Sequence, residues 1–153
     1  MTRVDFYLLP LSEPHGKLSF ACRLAEKAYQ SGHQVFLRGA DRTEAEALDA
    51  LLWSFRDTSF VPHRLLDARG DAPVPVLVGS GEDAPDHHDV LLNLADSVPP
   101  LFSRFERVAE IVLNDAQSLA SSRKRWSFYK DRGYPLQHHD MQHLRSARGG
   151  TES

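Results

Sequence analysis

Short runs of Val, Leu, Ile and Phe alternate along this chain with stretches whose apolar residues recur every three or four positions. That alternation restricts the fold strongly. A strand followed by an amphipathic helix and another strand returns to the same sheet in parallel, with the helix laid over one face. Val4 to Leu9, ended by Pro10, reads as a first, buried strand. Pro14-His15-Gly16 reads as a turn, after which Leu18, Ala21, Cys22, Ala25, Ala28 and Tyr29 keep helical spacing up to Gly32, a helix stop. Gln34 to Leu37 is a second strand. Thr43 with Glu46 three residues on predicts a capping box, followed by the stripe Leu48, Leu51, Leu52 and Phe55.

Residues 56–74 carry loop signals, and Val74 to Val78 reads as a strand that either begins at Pro75 or lies at an edge. Gly79 to Asp89 is a polar loop and Val90 to Leu94 a buried strand. Pro99 and Pro100 open a short helix over Leu101 to Phe105, and Val108 to Leu113 forms the last strand. Asn114 or Asp115 caps a helix from Ala116 to about Arg132, stopped by Gly133 and Pro135. The expected fold is one α/β domain over residues 1–136, a three-layer sandwich on a mostly parallel sheet. Residues 137–153 are expected to form a polar, flexible tail.

The length of 153 residues suits one domain, and the formal net charge of -3 gives no overall basic excess for a nucleic-acid backbone. A single cysteine, Cys22, fits a reducing compartment, and it falls on the apolar stripe of the first helix. No apolar run is long enough to span a bilayer, and the N-terminus lacks a signal-peptide layout, so a cytoplasmic protein without membrane partners is expected. The first strand-to-helix turn, Leu9 to Gly16, lacks the glycines that cradle a pyrophosphate and carries Glu13, which repels one. Asp86-His87-His88-Asp89 and His138-His139-Asp140-His143 are the sets with metal-ligand residue types. Adjacent histidines diverge on regular structure, so both sets read as solvated segments. No catalytic residue, cofactor site or metal site is assigned.

Two constellations do not read as core. Trp53 falls roughly 140° around its helix from Leu48, off the apolar stripe, shortly before Phe60-Val61-Pro62-His63. It either anchors a partner or is covered by the loop that follows. In the last helix Leu119, Arg123, Trp126 and Lys130 share one face, flanked by Arg125, Tyr129 and Arg132. An apolar hollow rimmed by cations suits a peptide C-terminus with an aromatic residue and nearby acids. Single-stranded nucleic acid is the rival ligand, and snorkelling of Arg123 and Lys130 over the core is the plain structural alternative.

Phe6-Tyr7-Leu8-Leu9, the Gly32 turn, Leu48-Asp49-Ala50-Leu51-Leu52-Trp53 with Phe60-Val61-Pro62-His63, and Arg123 through Trp126, Tyr129 and Gly133-Tyr134 occur in the order seen in one family. Through these segments the chain resembles the chi subunit of bacterial DNA polymerase III. The resemblance implies a Rossmann-like fold and a non-catalytic clamp-loader accessory subunit. It also implies three partners: the psi subunit, the acidic C-terminal tail of single-stranded DNA-binding protein, and in some members an XPD-like helicase, with DNA reached indirectly. It assigns Trp53, Phe60, Val61 and Pro62 to the psi or helicase surface. It assigns Val112, Arg123, Trp126, Tyr129, Lys130 and Gly133 to the tail site. Leu119 and Ser127 stand where a member of that family is basic, so either the pocket is less cationic here or Arg125 and Arg132 compensate. The alternative classes are an α/β enzyme of nucleotide or metal chemistry and a direct single-stranded DNA binder.

Overall fold

The computed structural model describes residues 1–55, 60–66, 73–83 and 85–142. Its strands are β1 (Arg3–Leu8), β2 (Val35–Gly39), β3 (His63–Leu65), β4 (Val76–Ser80), β5 (Val90–Asn93), β6 (Arg107–Val112) and β7 (Leu136–Asp140). The helices are α1 (Pro14–Gln30), α2 (Arg42–Ser54) and α3 (Ala116–Asp131), with a 3-10 turn at Phe102–Arg104. The strands form one seven-stranded sheet in the order β3-β4-β2-β5-β6-β1-β7. Every pairing in it is parallel. The expected Rossmann-like three-layer sandwich is present, and the sheet is wholly parallel where a mostly parallel one was expected.

Strand alternation divides the core into two. Tyr7, Leu37, Val78, Leu92 and Ala109 face α1 and α2, where Ala21, Cys22, Ala25, Leu48 and Leu52 cover them. Phe6, Phe36, Leu77, Leu91 and Val108 face the other way, against Phe102, Phe105 and Tyr129 of α3. The central strands β2 and β5 are buried along their whole length, which explains their continuous apolar runs. Burial pushes the Cys22 thiol up to about 12, so this cysteine is an unreactive core residue.

Several boundaries differ from the sequence reading. Pro14-His15-Gly16 is the first turn of α1, with proline at the helix start where its missing N–H costs nothing. The N-cap of α2 is Asp41, whose carboxylate accepts from the Glu44 amide at 2.9 Å, while the Glu44 carboxylate accepts from the Ala40 amide at 2.8 Å. The reciprocal cap therefore lies two residues before Thr43. Asp115 caps α3, accepting from the Ser118 amide at 2.8 Å, and that bond holds its carboxyl below the usual range. β4 begins just after Pro75 and is interior, between β3 and β2, so the edge reading of that strand is corrected.

Two strands have no signal in the sequence. β3 has three residues and pairs only with β4. β7, Leu-Gln-His-His-Asp, lies in the segment expected to be tail and pairs in parallel with β1. Its residues are mostly exposed, so no apolar run marks it. The domain therefore extends through Asp140, and residues 143–153 lie outside the described residues.

The cap geometry gives a test. Asp41→Ala should lower stability by about 1 kcal/mol in urea denaturation, because the Glu44 amide loses its acceptor. Thr43→Ala should change it by less than about 0.5 kcal/mol. The reverse ranking would place the cap at Thr43.

Candidate functional site

Trp53, at the C-terminal end of α2, is 60% exposed, and Phe60, just before β3, is 63% exposed. Their rings lie 5.8 Å apart between centroids. Val61 is fully buried and Pro62 half-buried, so these two seat the segment and the aromatic pair projects from it. Beneath the pair, the buried His63 acts as a staple. Its Nδ1 lies 2.7 Å from the Val61 carbonyl oxygen and its Nε2 3.0 Å from that of Asp49. The imidazole is 4.6 Å from the Trp53 ring. Large apolar side chains left this open to water beside a short edge strand are an energetic cost that a partner would relieve.

At the opposite edge of the sheet, a cavity of about 480 Å³ opens between α3 and strands β1 and β7. Phe6 and Leu8 of β1, and His138 of β7, line one side; Leu119, Ser122, Arg123, Trp126 and Ser127 of α3 line the other. Trp126 meets Phe6 edge-on at 5.2 Å, which fixes the indole as an apolar wall. Arg123 is exposed at the rim. This volume falls within the range of about 300–1,000 Å³ usual for small-ligand sites.

The residues that the resemblance assigns to the tail site are not all brought together here. Arg123 and Trp126 line the cavity, whereas Val112 and Tyr129 are core residues at 2% and 0% exposure. Lys130 is exposed farther along α3, and Gly133 follows the helix with φ +79°, a left-handed turn that glycine adopts without strain. Neither lines the cavity. Arg132 lays its guanidinium over the Phe128 ring at 3.6 Å, away from the groove. Arg125 is buried, and neither arginine lines the cavity.

Arg125 belongs instead to a polar knot that the sequence reading missed. Glu110 on β6 is fully buried, and its carboxylate accepts from Arg125 Nε at 3.0 Å, Tyr129 Oη at 2.7 Å and Asn93 Nδ2 at 2.8 Å. Asn93 Oδ1 in turn accepts from Arg38 Nη1 at 2.9 Å, and Arg38 also donates to the carbonyl oxygens of Gly81 and Ser97. Burial pushes the Glu110 carboxyl up, against the pull of Arg125 and the hydrogen bonds from Tyr129 and Asn93. Tyr129 is pushed far up, by burial first and then by the adjoining Glu110 charge. The available signal was a polar residue inside each otherwise apolar strand, Asn93 in Val90 to Leu94 and Glu110 in Val108 to Leu113.

At the carboxyl ends of the strands, where open α/β sheets hold nucleotides, Lys17 Nζ pairs with Glu44 at 3.0 Å and donates to the Leu94 carbonyl at 3.2 Å. The N-terminal ends of α1 and α2 are thereby tied across that crevice. His87 Nε2 is 2.9 Å from the Val74 carbonyl oxygen, and burial lowers its proton affinity. His139 Nε2 lies 3.0 Å from Asp5 Oδ1, with its ring stacked on Tyr7 at 4.7 Å. No group of three or more potential metal-ligating side chains occurs among the described residues; His143 lies outside them.

These features define a doubly covered, all-parallel α/β domain with an exposed aromatic pair at one sheet edge and an apolar, cation-rimmed groove at the other. Residues 1–137 match the family described as DNA polymerase III chi subunit, HolC, and the chain belongs to that family. It is 45% identical over 141 residues to a Pseudomonas aeruginosa protein named DNA polymerase III subunit chi, covering 92% of this chain and 98% of the relative. An Escherichia coli protein of the same name is 29% identical over 142 residues, covering 89% of this chain and 96% of the relative. A Haemophilus influenzae protein of that name is 26% identical over 133 residues, covering 86% and 92%. No helix among the described residues is long and apolar enough to cross a membrane.

The knot predicts a large stability effect. Glu110→Gln leaves the Arg125 guanidinium buried without its counter-charge and should cost about 3 kcal/mol or more in urea denaturation. A loss below about 1 kcal/mol would show that Arg125 reaches water in the folded state.

Proposed function

We propose that this chain is a non-catalytic accessory subunit of a DNA polymerase III assembly in DNA replication. In this reading it bridges the clamp loader, through the psi subunit, to the C-terminal tail of single-stranded DNA-binding protein. The observation that carries the proposal is the separation of two unlike surfaces on one rigid sheet. Trp53 and Phe60 stand beside β3 at one edge, and the groove lies against β7 at the other. Six strand intervals at about 4.8 Å put these edges roughly 30 Å apart, far enough for two partners to bind together.

Each surface has its own chemistry. The Trp53–Phe60 pair is apolar and exposed, which suits docking of psi or of an XPD-like helicase on this face. The groove offers the Phe6, Leu8, Leu119 and Trp126 hollow for an aromatic side chain and Arg123 for a carboxylate. A single-stranded DNA ligand has less support. Trp126 turns toward Phe6 and is half-buried, whereas a base-stacking platform needs an open ring face.

The surfaces should separate under mutation. Arg123→Ala should weaken binding of an acidic peptide ending in Asp-Phe by about 1.5–3 kcal/mol in calorimetric titration, with psi pairing unchanged. Phe60→Ala should abolish psi pairing with tail binding and thermal stability intact, since its side chain is mostly in water. Oligonucleotide binding in place of peptide binding would sink the groove assignment, and loss of both partners in either variant would sink the two-surface reading.

A further inference from the structure

Adjacent residues on a strand point to opposite faces, and β7 uses this to give its two histidines different surroundings. His139 turns toward the α1 side, held by Asp5 and stacked on Tyr7. His138 pairs in register with Phe6 on the α3 side, lines the groove, and meets Trp126 edge-on at 6.2 Å. Among the described residues its imidazole has no hydrogen-bond partner, and it is exposed.

The other lining residues show what a second polar contact would add. Phe6, Leu8, Leu119 and Trp126 are apolar, Ser122 and Ser127 are neutral, and Arg123 is the one fixed cation in the set. An acidic peptide terminus carries at least two negative charges, the terminal carboxylate and a neighbouring Asp or Glu. One guanidinium can pair with only one of them well.

We propose that His138 is the second anion-contacting residue of this groove, and that its imidazole makes capture of an acidic, aromatic-ended peptide proton-dependent. This rests on the reading of the groove as a peptide-tail site. Histidine is the side chain that acquires its charge between about pH 8 and pH 5. The charged groups beside it are Arg123 on α3 and Asp140 on the same face of β7. β1 contributes only Phe6 and Leu8 to this wall. A bound carboxylate tips the balance toward imidazolium, so by linkage peptide binding draws a proton onto the His138 imidazole and the peptide binds more tightly as pH falls.

The test is calorimetric titration of the full chain with an acidic peptide ending in Asp-Phe, at pH 8 and pH 6 and fixed ionic strength. Repetition in buffers of different ionisation enthalpy reads proton uptake. Affinity of the unmodified chain should rise about fivefold at the lower pH, the size expected of one exposed ion pair. His138→Ala should remove both that rise and the matching proton uptake, and His138→Lys should bind tightly at both pH values. Equal pH slopes for the unmodified chain and His138→Ala overturn the role of His138 and leave the groove reading standing. No peptide binding at either pH overturns the groove reading and this inference with it. His138 lies exposed on an edge strand, and unchanged thermal unfolding of the variants ties any difference to the groove.

Discussion

A carboxylate taken entirely out of water needs donors on every side, and Glu110 has three of them from two elements. β5 contributes Asn93, and α3 contributes both Arg125 and Tyr129. Through Asn93 the chain of bonds runs on to Arg38 of β2. Such a knot adds little net stability over an apolar core of the same shape, but it is intolerant of error. A helix slid by one residue would strand a buried guanidinium or a tyrosine hydroxyl. The position and rotation of α3 on the sheet are therefore set by polar geometry as much as by apolar contact.

That constraint passes directly to the groove. With Arg125 and Tyr129 turned inward, Arg123 and Trp126 fall on the flank of α3 that faces β1 and β7. Phe6 completes the arrangement by contacting both Trp126 and Tyr129 edge-on. One face of the helix is spent on anchoring and the neighbouring one on a hollow, which explains why its apolar stripe is so broken. At the far edge His63 does comparable work with fewer bonds, fastening Val61 to α2 so that Trp53 and Phe60 meet outside the core.

The alternation of apolar runs with helical stripes was enough to infer a layered parallel sheet, because the long buried strands must be apolar on both faces. Trp53 was legible as lying off its own stripe, but whether it stood in water beside Phe60 or under the following loop was decided by the fold. Edge strands were not legible. β7 is joined to the sheet by backbone bonds to β1 and exposes most of its side chains, so its residues carry no pattern. Burial along α3 was hidden by the opposite effect. Arg125 and Tyr129 look like neighbours of Arg123 and Trp126 along the helix, yet they lie inside.

Local chemistry dictated where helices start and stop, which runs become strands, and that no glycine-rich phosphate cradle follows β1; these depend on residues near one another in the chain. Tertiary structure alone decided which cations are buried and which reach water, and which face of the sheet each of His138 and His139 occupies. Those outcomes depend on partners far away in sequence, Asp5 for His139 and Glu110 for Arg125, which become neighbours only when the sheet closes. The sum of charges was readable from composition, but their disposition was a property of the fold.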